Sequence, residues 1–544
     1  MIFSERGGIA AGCLTRYHAA FRHTVRMAIE TFDQRSNVPA VPGRGSYPIP
    51  LNSVTTAGFL GRTERGPVNE PVCVESFPEY CRFFGGHLGD GAVSRSVHDF
   101  FLHGGHRAVI VRVANRATRS HIDVPTSDEI LRLQARYPGR REVLRVSIDY
   151  EQVENDANLF NLVVQRLGGS GFGLVEDQEL YPLVSILPSD SRFIGDILRD
   201  SRLISLAGPT TETRPLATPP DRPGDPVRYI DLSAPGDDGD ELTDYDIIGS
   251  DRDGTGLFAF LRGPRIDLMA IPLPPERELG TTAFVAAARL CENQRVLLIW
   301  DPPGSWQSVD AAILGSRRQD YGSGNVMTYF PRIRTRGAQM RHAGGMPASG
   351  AIAGMLARRA QRGLWGQDTD TDYTLRAALT PIVDVTSREA QRLAHKGINS
   401  FVNAPGGSMQ LVGRATLGTA GLGSGVSSGF DRRRLRFFIL NSVEEAAIAS
   451  AAETDLASSL PRLEGQLRRF FDELFLRGAL QGRTPGQAYY LHTRQAEAGG
   501  WPRICLGFAP GEPGRFLEYF VDLDGGQAGR IRRVRALEAE QLFG

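Results

Sequence analysis

Residues 57–115 constrain the fold more than any other part of the chain, because their local signals follow one another in a consistent order. Two short apolar runs, residues 55–60 and 72–74, suit buried strands and are separated by a turn rich in Gly and Pro. Ser76 and Glu79 have the spacing of a capping box, in which both side chains satisfy free amides at the start of a helix. The first half of the stretch therefore predicts strands followed by a helix.

A second helix and a strand complete the stretch. The helix begins near Asp90 and places Val97 and Phe100 on one face. Residues 109–113 alternate in the manner of a strand. The predicted unit is strand, helix, helix, strand, which is an α/β arrangement.

Length and charge exclude several classes of protein. A chain of 544 residues suggests about two to four domains at ~150 residues each. Its 62 basic and 62 acidic residues balance, so it has no general attraction to nucleic acid or anionic lipid. The five cysteines are scattered and odd in number, which favours a reducing compartment such as the cytoplasm. No stretch approaches the roughly 20 apolar residues that span a bilayer, so we predict no membrane insertion.

The sequence carries no complete signature of a catalytic, metal or cofactor site. Four histidines crowd the opening stretch: His87, His98, His103 and His106. Their spacing crosses a helix end without a cysteine or carboxylate at a usual ligand interval, so we predict no metal site. The acidic residues 237–253 lack the glutamate of a calcium loop, and residues 418–424 lack the Gly-Lys-Ser/Thr ending of a nucleotide loop. We predict no enzyme activity and no cofactor, with a metal-assisted α/β enzyme using residues 237–253 as a minor alternative.

The N-terminal part contains a strand candidate that is separated from the rest. Residues 25–32 suit a short strand, and the linker at residues 36–53 contains four prolines. Such a linker forms neither a helix nor a central strand, so we do not expect the preceding strand to fold back tightly onto its own domain. A detached strand needs a partner from elsewhere, and a disordered terminus is the alternative that the residues leave open.

The remainder alternates between β-rich and α/β patterns. Residues 116–275 are β-rich, with a short helix predicted at residues 191–203. Residues 283–291 suit an Ala-rich helix, and residues 295–301 form an apolar run typical of a strand buried on both faces. We predict that this strand pairs with residues 109–113, which makes the segment between them an insertion into a split core.

Two helices and a pair of strands are predicted towards the C-terminus. The helix at residues 349–365 carries small side chains, including Gly354, that permit close helix approach. Residues 461–480 form an amphipathic helix. Residues 503–523 supply two strands, whereas the pattern of residues 525–544 stays unassigned.

Several motifs, in this order, resemble the tail sheath proteins of contractile phage tails and contractile injection systems. They are Gly58-Phe59, the run RGPVNEP at residues 65–71, Phe83-Phe84-Gly85-Gly86, Phe100-Phe101 with Gly104-Gly105, the valine strand at residues 109–113, Gly397-Ile398-Asn399, and VGRATL at residues 412–417. One departure is the lack of an aspartate that is usual in the helix at residues 349–365, between an arginine and the Arg-Gly pair.

The resemblance implies an α/β (α+β) core split in sequence, with an inserted β-rich domain and extended N- and C-terminal strand arms. The implied limits are 1–46 for the N-terminal arm and linker, 47–115 for the first part of the core, 116–280 for the inserted outward-facing domain, 281–524 for the second part of the core with the C-terminal strand, and 525–544 for a C-terminal tail.

The resemblance also implies a structural function. The chain would polymerise around an inner tube and contract to drive that tube through a target envelope. Its partners would be copies of itself in sixfold rings, the inner tube protein, and baseplate and terminator proteins. Assembly would take place in the bacterial cytoplasm, as part of a phage tail or injection particle. A sheath-related adaptor or baseplate-associated protein that does not polymerise is the alternative.

Two sets of residues are candidates for subunit contacts. Those for the strand arms that link subunits are Val25, Ile29, Phe32, Phe516, Tyr519 and Val521. Those for contacts to the lattice or the inner tube are Arg432, Arg433, Arg434 and Arg436. This basic run could suggest nucleic acid, and a strand with one arginine-rich side facing solvent or a subunit explains it equally well.

Overall fold

The chain divides into two units, Met1–Pro48 and Ile49–Gly544, and a computed structural model describes most of the second. The described residues are 49–51, 54–86, 91–153, 156–168, 173–219, 227–317, 324–335, 344–365, 373–375, 379–403, 409–419, 427–451, 456–494, 503–522 and 531–533. The strand predicted at residues 25–32, with Val25, Ile29 and Phe32, lies outside the described residues.

Strands and helices are numbered in chain order. The strands are β1 (Thr56–Gly61), β2 (Pro71–Val74), β3 (Arg107–Arg112), β4 (His121–Pro125), β5 (Ile130–Ala135), β6 (Leu144–Asp149), β7 (Leu159–Leu167), β8 (Val175–Ser185), β9 (Ile204–Leu206), β10 (Leu268–Ala270), β11 (Leu297–Trp300), β12 (Val326–Phe330), β13 (Ile333–Thr335), β14 (Leu379–Pro381), β15 (Ile398–Asn403), β16 (Met409–Val412), β17 (Tyr489–Arg494), β18 (Arg503–Phe508), β19 (Leu517–Asp522) and β20 (Ile531–Arg533). The α-helices are α1 (Phe77–Phe84), α2 (Ala92–Leu102), α3 (Ile194–Ile197), α4 (Asp244–Ile248), α5 (Thr281–Asn293), α6 (Val309–Arg317), α7 (Ser349–Ala360), α8 (Ser387–Ala394), α9 (Ser427–Ala451), α10 (Leu456–Leu476) and α11 (Pro485–Ala488).

An eight-stranded sheet forms the centre of the described structure. Its order is β16-β15-β12-β11-β10-β1-β3-β2, with parallel pairs from β15 to β3 and antiparallel pairs at both edges. Two separate apolar clusters contain alternate residues of the same strands. Strand β11 is buried throughout, as its continuous apolar sequence predicted. A strand covered on both faces needs apolar residues at every position.

The opening stretch folds as its sequence predicted, in the order β1, β2, α1, α2, β3. Ser76 caps α1 by accepting a hydrogen bond from the Glu79 N–H at 3.3 Å. The Glu79 carboxylate accepts from the N–H of Glu75 at 2.8 Å rather than from that of Ser76. Only the first half of the predicted capping box is therefore made.

The predicted pairing of residues 109–113 with residues 295–301 is wrong. Both segments belong to the central sheet, but β1 and β10 lie between β3 and β11. β10 is only three residues long and fully buried, so its own sequence carries little strand signal. It also lies within residues 116–280, so the central sheet takes up part of the range predicted for the insertion.

Two sheets of three strands form a separate β-layer between β3 and α4. Their orders are β4-β5-β9 and β6-β7-β8, and one apolar cluster fills the space between them. We call these two sheets the inserted β-layer. The helix predicted at residues 191–203 is shorter than expected, because only α3 and one 3₁₀ turn, Leu198–Asp200, form there.

Glycines bring α2 and α7 into close contact, as the small residues predicted. A Cβ at Gly350 would lie 2.0 Å from the carbonyl oxygen of Ser96. A Cβ at Gly354 would lie 2.2 Å from that of Phe100. These backbone contacts leave no space for a larger residue at either position.

The motif around Asn399 connects β12 to the turn that follows β16, near one edge of the central sheet. Its side-chain amide donates to the carbonyl of Thr328 at 3.1 Å and to that of Ala415 at 2.9 Å. The side-chain oxygen Oδ1 of Asn399 accepts from the N–H of Ala415 at 2.7 Å. Gly413 has a φ of +94° and lies against the same side chain, so a glycine is required at this turn.

A C-terminal layer packs α9 and α10 against a four-stranded antiparallel sheet. The sheet order is β17-β18-β19-β20. The predicted amphipathic helix is confirmed as α10, and its buried side is formed by Leu463, Leu467, Phe470, Phe471 and Leu474. These residues share an apolar cluster with α9 and with strands β17 to β19.

Candidate functional site

The C-terminal sheet places the predicted arm residues Phe516, Tyr519 and Val521 in or next to β19. Tyr519 is 5% exposed and stacks on Phe508, with ring centroids 5.8 Å apart. Val521 is fully buried, and the Phe516 ring meets the Tyr490 ring edge-on at 5.1 Å. The side chains of Tyr519 and Val521 contribute to the chain's own apolar cluster.

Strand β19 is paired along both edges within the chain, since β18 and β20 lie on either side of it. Its linking of subunits stays a prediction. The outer strands of this sheet differ from it, because β17 and β20 each have a single hydrogen-bonded neighbour among the described strands. An unpaired strand edge is a template for a further strand.

The arginine run at residues 432–436 lies on a helix, not on the predicted strand. It belongs to α9, a helix of 25 residues. Leu435 and all of residues 437–440 are buried, so this part of the helix is covered on most of its sides. A continuous apolar run of this kind suits a buried strand as well as a buried helix.

The four arginines have different surroundings. Arg434 is 6% exposed and donates to the carbonyl of Leu356 at 3.3 Å and to the Thr55 hydroxyl at 3.4 Å. Arg433 donates to the side-chain oxygen of Asn325 at 2.7 Å. Arg436 lies over the Phe437 ring at 5.1 Å, whereas Arg432 is exposed.

Burial dominates the electrostatics around Arg434. It lowers the pKa of this guanidinium and raises the pKa of the Asp267 carboxyl. Asp267 also accepts a hydrogen bond from the N–H of Thr56 at 2.8 Å. Arg434 therefore helps to join α9 to α7 and to the start of β1, and its guanidinium is used inside the chain.

The histidines lie in ordinary structural positions where they are described. The His103 ring is buried and its Nδ1 lies 2.7 Å from the carbonyl oxygen of Asp99. The His98 Nδ1 lies 3.2 Å from the Asp99 carboxylate. His87 lies outside the described residues. Among the residues that the structure describes, no group of three or more His, Cys, Asp or Glu side chains is arranged to hold a metal ion.

Carboxylates within residues 237–253 bind backbone amides and arginines. Asp246 and Thr243 form a complete capping box at the start of α4. Asp244 accepts from the N–H of Gly280 at 3.1 Å. Asp238 pairs with Arg140 at 2.7 Å. These contacts give the acidic residues a structural role.

A cavity of about 700 Å³ lies beside this acidic segment, at the carboxyl ends of β1 and β10. Charged side chains of both signs line it: Arg62, Glu64, Arg140, Arg141, Asp237, Asp238, Glu241, Asp244, Arg277 and Glu278. Arg62 donates to the carbonyls of Asp238 and Gly239, and Arg277 donates to that of Leu242. The arginines thus hold the loop at residues 238–242, which lines the cavity.

Sequence reasoning missed several buried charges. Arg112, at the end of β3, is 1% exposed, and Asp301, after β11, is 9% exposed. The Asp301 carboxylate accepts from the N–H groups of Ala348 and Ser349 at 2.8 and 2.9 Å, which caps the start of α7. A charged residue at the end of an apolar strand was the one signal that pointed to them.

Within the part of the chain that is described, no helix is both long and apolar enough to cross a bilayer. The described fold is a mixed α/β protein with a central parallel sheet, an inserted β-layer and a C-terminal helix-and-sheet layer. No family model matches the sequence, and no curated protein matches it either.

Solved structures do match this fold, and they are sheath tail proteins. The crystal structure of one from Listeria innocua is 12% identical and covers 87% of this chain and 96% of its own, with a TM-score of 0.58. A sheath tail protein of Desulfitobacterium hafniense is 13% identical and covers 89% of this chain and 100% of its own, with a TM-score of 0.50. The chain therefore has the fold of sheath tail proteins.

Proposed function

We propose that the chain is the structural subunit of a contractile sheath. The observation that carries this proposal is the fold, which matches a sheath tail protein over 87% of this chain and 96% of that protein. The motifs of the opening stretch support it independently, because they resemble the same family in the sequence. Such a subunit polymerises around an inner tube and contracts to drive the tube through a target envelope.

The proposed partners are those of a sheath. Copies of the chain form a helical polymer of sixfold rings around the inner tube protein, between baseplate and terminator proteins. The particle is a phage tail or an injection machine, assembled in the bacterial cytoplasm. The subunit works through lattice contacts and not as an enzyme, so it uses no cofactor. A shortening lattice needs contacts that improve on contraction and links that persist through it.

Strand addition provides the persistent links. The predicted strand at residues 25–32, with Val25, Ile29 and Phe32, pairs with an open edge of a neighbour's C-terminal sheet. Tyr519 and Val521 hold the receiving sheet in place through their burial. Main-chain hydrogen bonds keep such a link while the subunits rotate relative to one another.

The accessible arginines of α9 make the contacts to the lattice or to the inner tube. Arg432 is exposed, whereas the Arg434 guanidinium is used inside the chain. Arg433 and Arg436 are half-buried. We assign the main contact to Arg432, and a structural role to Arg434.

Electron microscopy of the chain co-expressed with its tube protein tests the proposal. We expect tubes or contracted cylinders from the full chain. Replacing Val25, Ile29 and Phe32 by aspartate should abolish long polymers and leave the circular dichroism spectrum unchanged. The matched control replaces the same residues by Ile, Val and Leu, which keep the strand pattern, and should polymerise.

Two results would count against these assignments. A chain that stays monomeric beside its tube protein contradicts the sheath and favours the adaptor that does not polymerise. Normal sheaths from the aspartate variant contradict the arm but leave the sheath function intact.

A further inference from the structure

The inserted β-layer and the central sheet have separate apolar cores. One cluster contains residues between Ile122 and Leu232 alone, all within or beside the inserted β-layer. The two clusters on the faces of the central sheet include none of these residues. The layer is therefore not attached to the sheet by a shared apolar cluster.

Charged side chains occupy the boundary instead. Arg65 and Arg112 come from the central sheet and its loops, whereas Glu142, Arg166 and Glu176 come from the inserted β-layer. We call these five residues the ionic seam. Four of them are at least nine-tenths buried, with exposures of 8% for Arg65, 1% for Arg112, 2% for Glu142 and 6% for Arg166.

Four contacts cross the seam or hold it together. Arg65 Nη1 lies 2.6 Å from Glu176 Oε2, and Arg65 Nη2 donates to the Cys81 carbonyl of α1 at 3.1 Å. Arg112 Nη1 donates to the carbonyls of Gly66 and Pro138, at 2.6 and 2.7 Å. These two arginines thus contact both the central sheet with its loops and the inserted β-layer with its loops.

The inserted side of the seam is less completely paired. Arg166 lies 3.7 Å from the Glu142 carboxylate, 3.9 Å from that of Glu176 and 3.5 Å from that of Asp177. Among the described residues, four buried polar atoms of the seam find no hydrogen-bond partner: Arg65 Nε, Arg112 Nε, Glu142 Oε1 and Arg166 Nε. A buried polar atom without a partner is unfavourable, and contact with water would relieve it.

Burial also acts on the titration of these groups. It lowers the pKa of Arg112 to about 10 and raises the pKa of Glu142. Both directions mean that the charged forms are poorly solvated in the closed seam. Opening the seam returns hydration to these charges, whereas opening an apolar interface exposes apolar surface to water at a cost of about 25 cal/mol per Å².

We propose that the ionic seam is a joint, at which the inserted β-layer separates from the central sheet while the apolar clusters of both remain folded. Arg65 and Glu176 form its outer latch, because the Glu176 side chain is 39% exposed and water reaches that pair first. The two connecting segments, which meet at the bridges Asn115–Asp240 and Thr118–Asp237, keep the layer tethered.

The joint has a use in a contracting lattice, although that use rests on the proposed sheath function. A layer that turns on its subunit can keep one set of contacts while the subunit changes its neighbours. The joint itself is a property of the single chain. Its test therefore needs no polymer, and a failed joint leaves the sheath assignment standing.

Hydrogen exchange on the full chain, measured in Glu176→Gln and in the unmodified protein, tests the joint. The variant removes the latch charge at a partly exposed position, so the chain still folds. We expect exchange to rise roughly tenfold in residues 62–68 and 137–142, as the loss of a charged hydrogen bond predicts. Exchange in β7 and in β10 to β12 should stay unchanged.

Asp123→Asn is the matched control. It breaks the Arg132–Asp123 pair, also 2.6 Å long, which lies within the inserted β-layer and away from the seam. This variant should leave the exchange of residues 62–68 unchanged. The proposal is overturned if Glu176→Gln changes nothing at the seam. It is also overturned if exchange rises equally in the seam, in the inserted β-layer and in the central sheet.

Discussion

At the scale of single residues, buried arginines connect separate segments of the chain through hydrogen bonds. Among the described residues, five arginines are no more than 6% exposed: Arg112, Arg166, Arg332, Arg359 and Arg434. Arg332, for example, donates to the carbonyls of Pro302 and Leu273 at 2.7 and 3.0 Å. A guanidinium has several donors in a planar fork, so one side chain can bind two loops.

These roles could not be predicted from the sequence. An arginine reads as a surface residue unless its surroundings are known, and the carbonyls that Arg332 and Arg434 reach are distant in the chain. The close approach at Gly354 was predictable in kind, because small residues at helical spacing indicate a helix contact. Its partner, α2, was not.

Gly354 gives a prediction about packing. In Gly354→Ala the added Cβ would lie 2.2 Å from the carbonyl oxygen of Phe100, a backbone atom that moves only if α2 shifts. We expect a loss of ~1–3 kcal/mol in the free energy of unfolding, measured by chemical denaturation. Gly465→Ala is the control, because nothing lies within 4 Å of its Cβ and helix propensity predicts a gain of about 0.5–1 kcal/mol. Equal effects of the two substitutions would contradict the close contact.

Glu179 on β8 gives a prediction about pH. Burial disfavours its charge, but hydrogen bonds from Ser201 (2.6 Å), the Arg202 N–H (3.0 Å) and Tyr181 (2.7 Å) together hold the pKa of Glu179 below its ordinary value. Because the folded pKa is depressed, this stabilisation is present above the unfolded value of about 4.3 and is lost as the pH falls through the folded one.

We expect the hydrogen-exchange protection of β9 to fall as the pH is lowered below about 4, because the adjacent Ser201 and Arg202 lose their acceptor. Glu179→Gln should show a weaker dependence on pH, since the amide does not titrate. The same pH dependence in both proteins would show that Glu179 does not hold this connection.

At the scale of elements, local signals were predictable and partners were not. The caps and periodicities of residues 57–115 lie within a few residues of one another, so β1, α1, α2 and β3 followed from the sequence. Any buried apolar strand can lie beside β3, and the choice of β1 over β11 depends on contacts that are distant in sequence. Helix α9 was mistaken for a strand because residues 437–440 form a continuous apolar run, which suits a buried strand as well as a buried helix.

Helix α10 gives a prediction about stability. It continues through Pro461, which lacks an N–H and whose ring crowds the preceding turn. Pro461→Ala should therefore raise the free energy of unfolding by roughly 1–3 kcal/mol, measured by denaturation. Pro485→Ala is the control, because Pro485 lies at the first position of α11, where proline is tolerated, and should change little. A loss of stability in Pro461→Ala would mean that the ring packs against a neighbour.

At the scale of the whole molecule, the described chain is organised in three layers with different interfaces. Apolar clusters join the central sheet to its helices and the C-terminal sheet to α9 and α10. The inserted β-layer meets the centre through the ionic seam. The outer strands of the C-terminal sheet have no second neighbour among the described strands, which suits the addition of a neighbour's strand.

The central claim is that this chain polymerises as a sheath, and a helical reconstruction by cryo-electron microscopy of particles made from the chain and its tube protein tests it most directly. The account predicts a tube enclosed by repeating copies of the chain, with a further strand, from residues 25–32 of a neighbour, on the C-terminal sheet. Bare tubes beside dispersed single chains would contradict it.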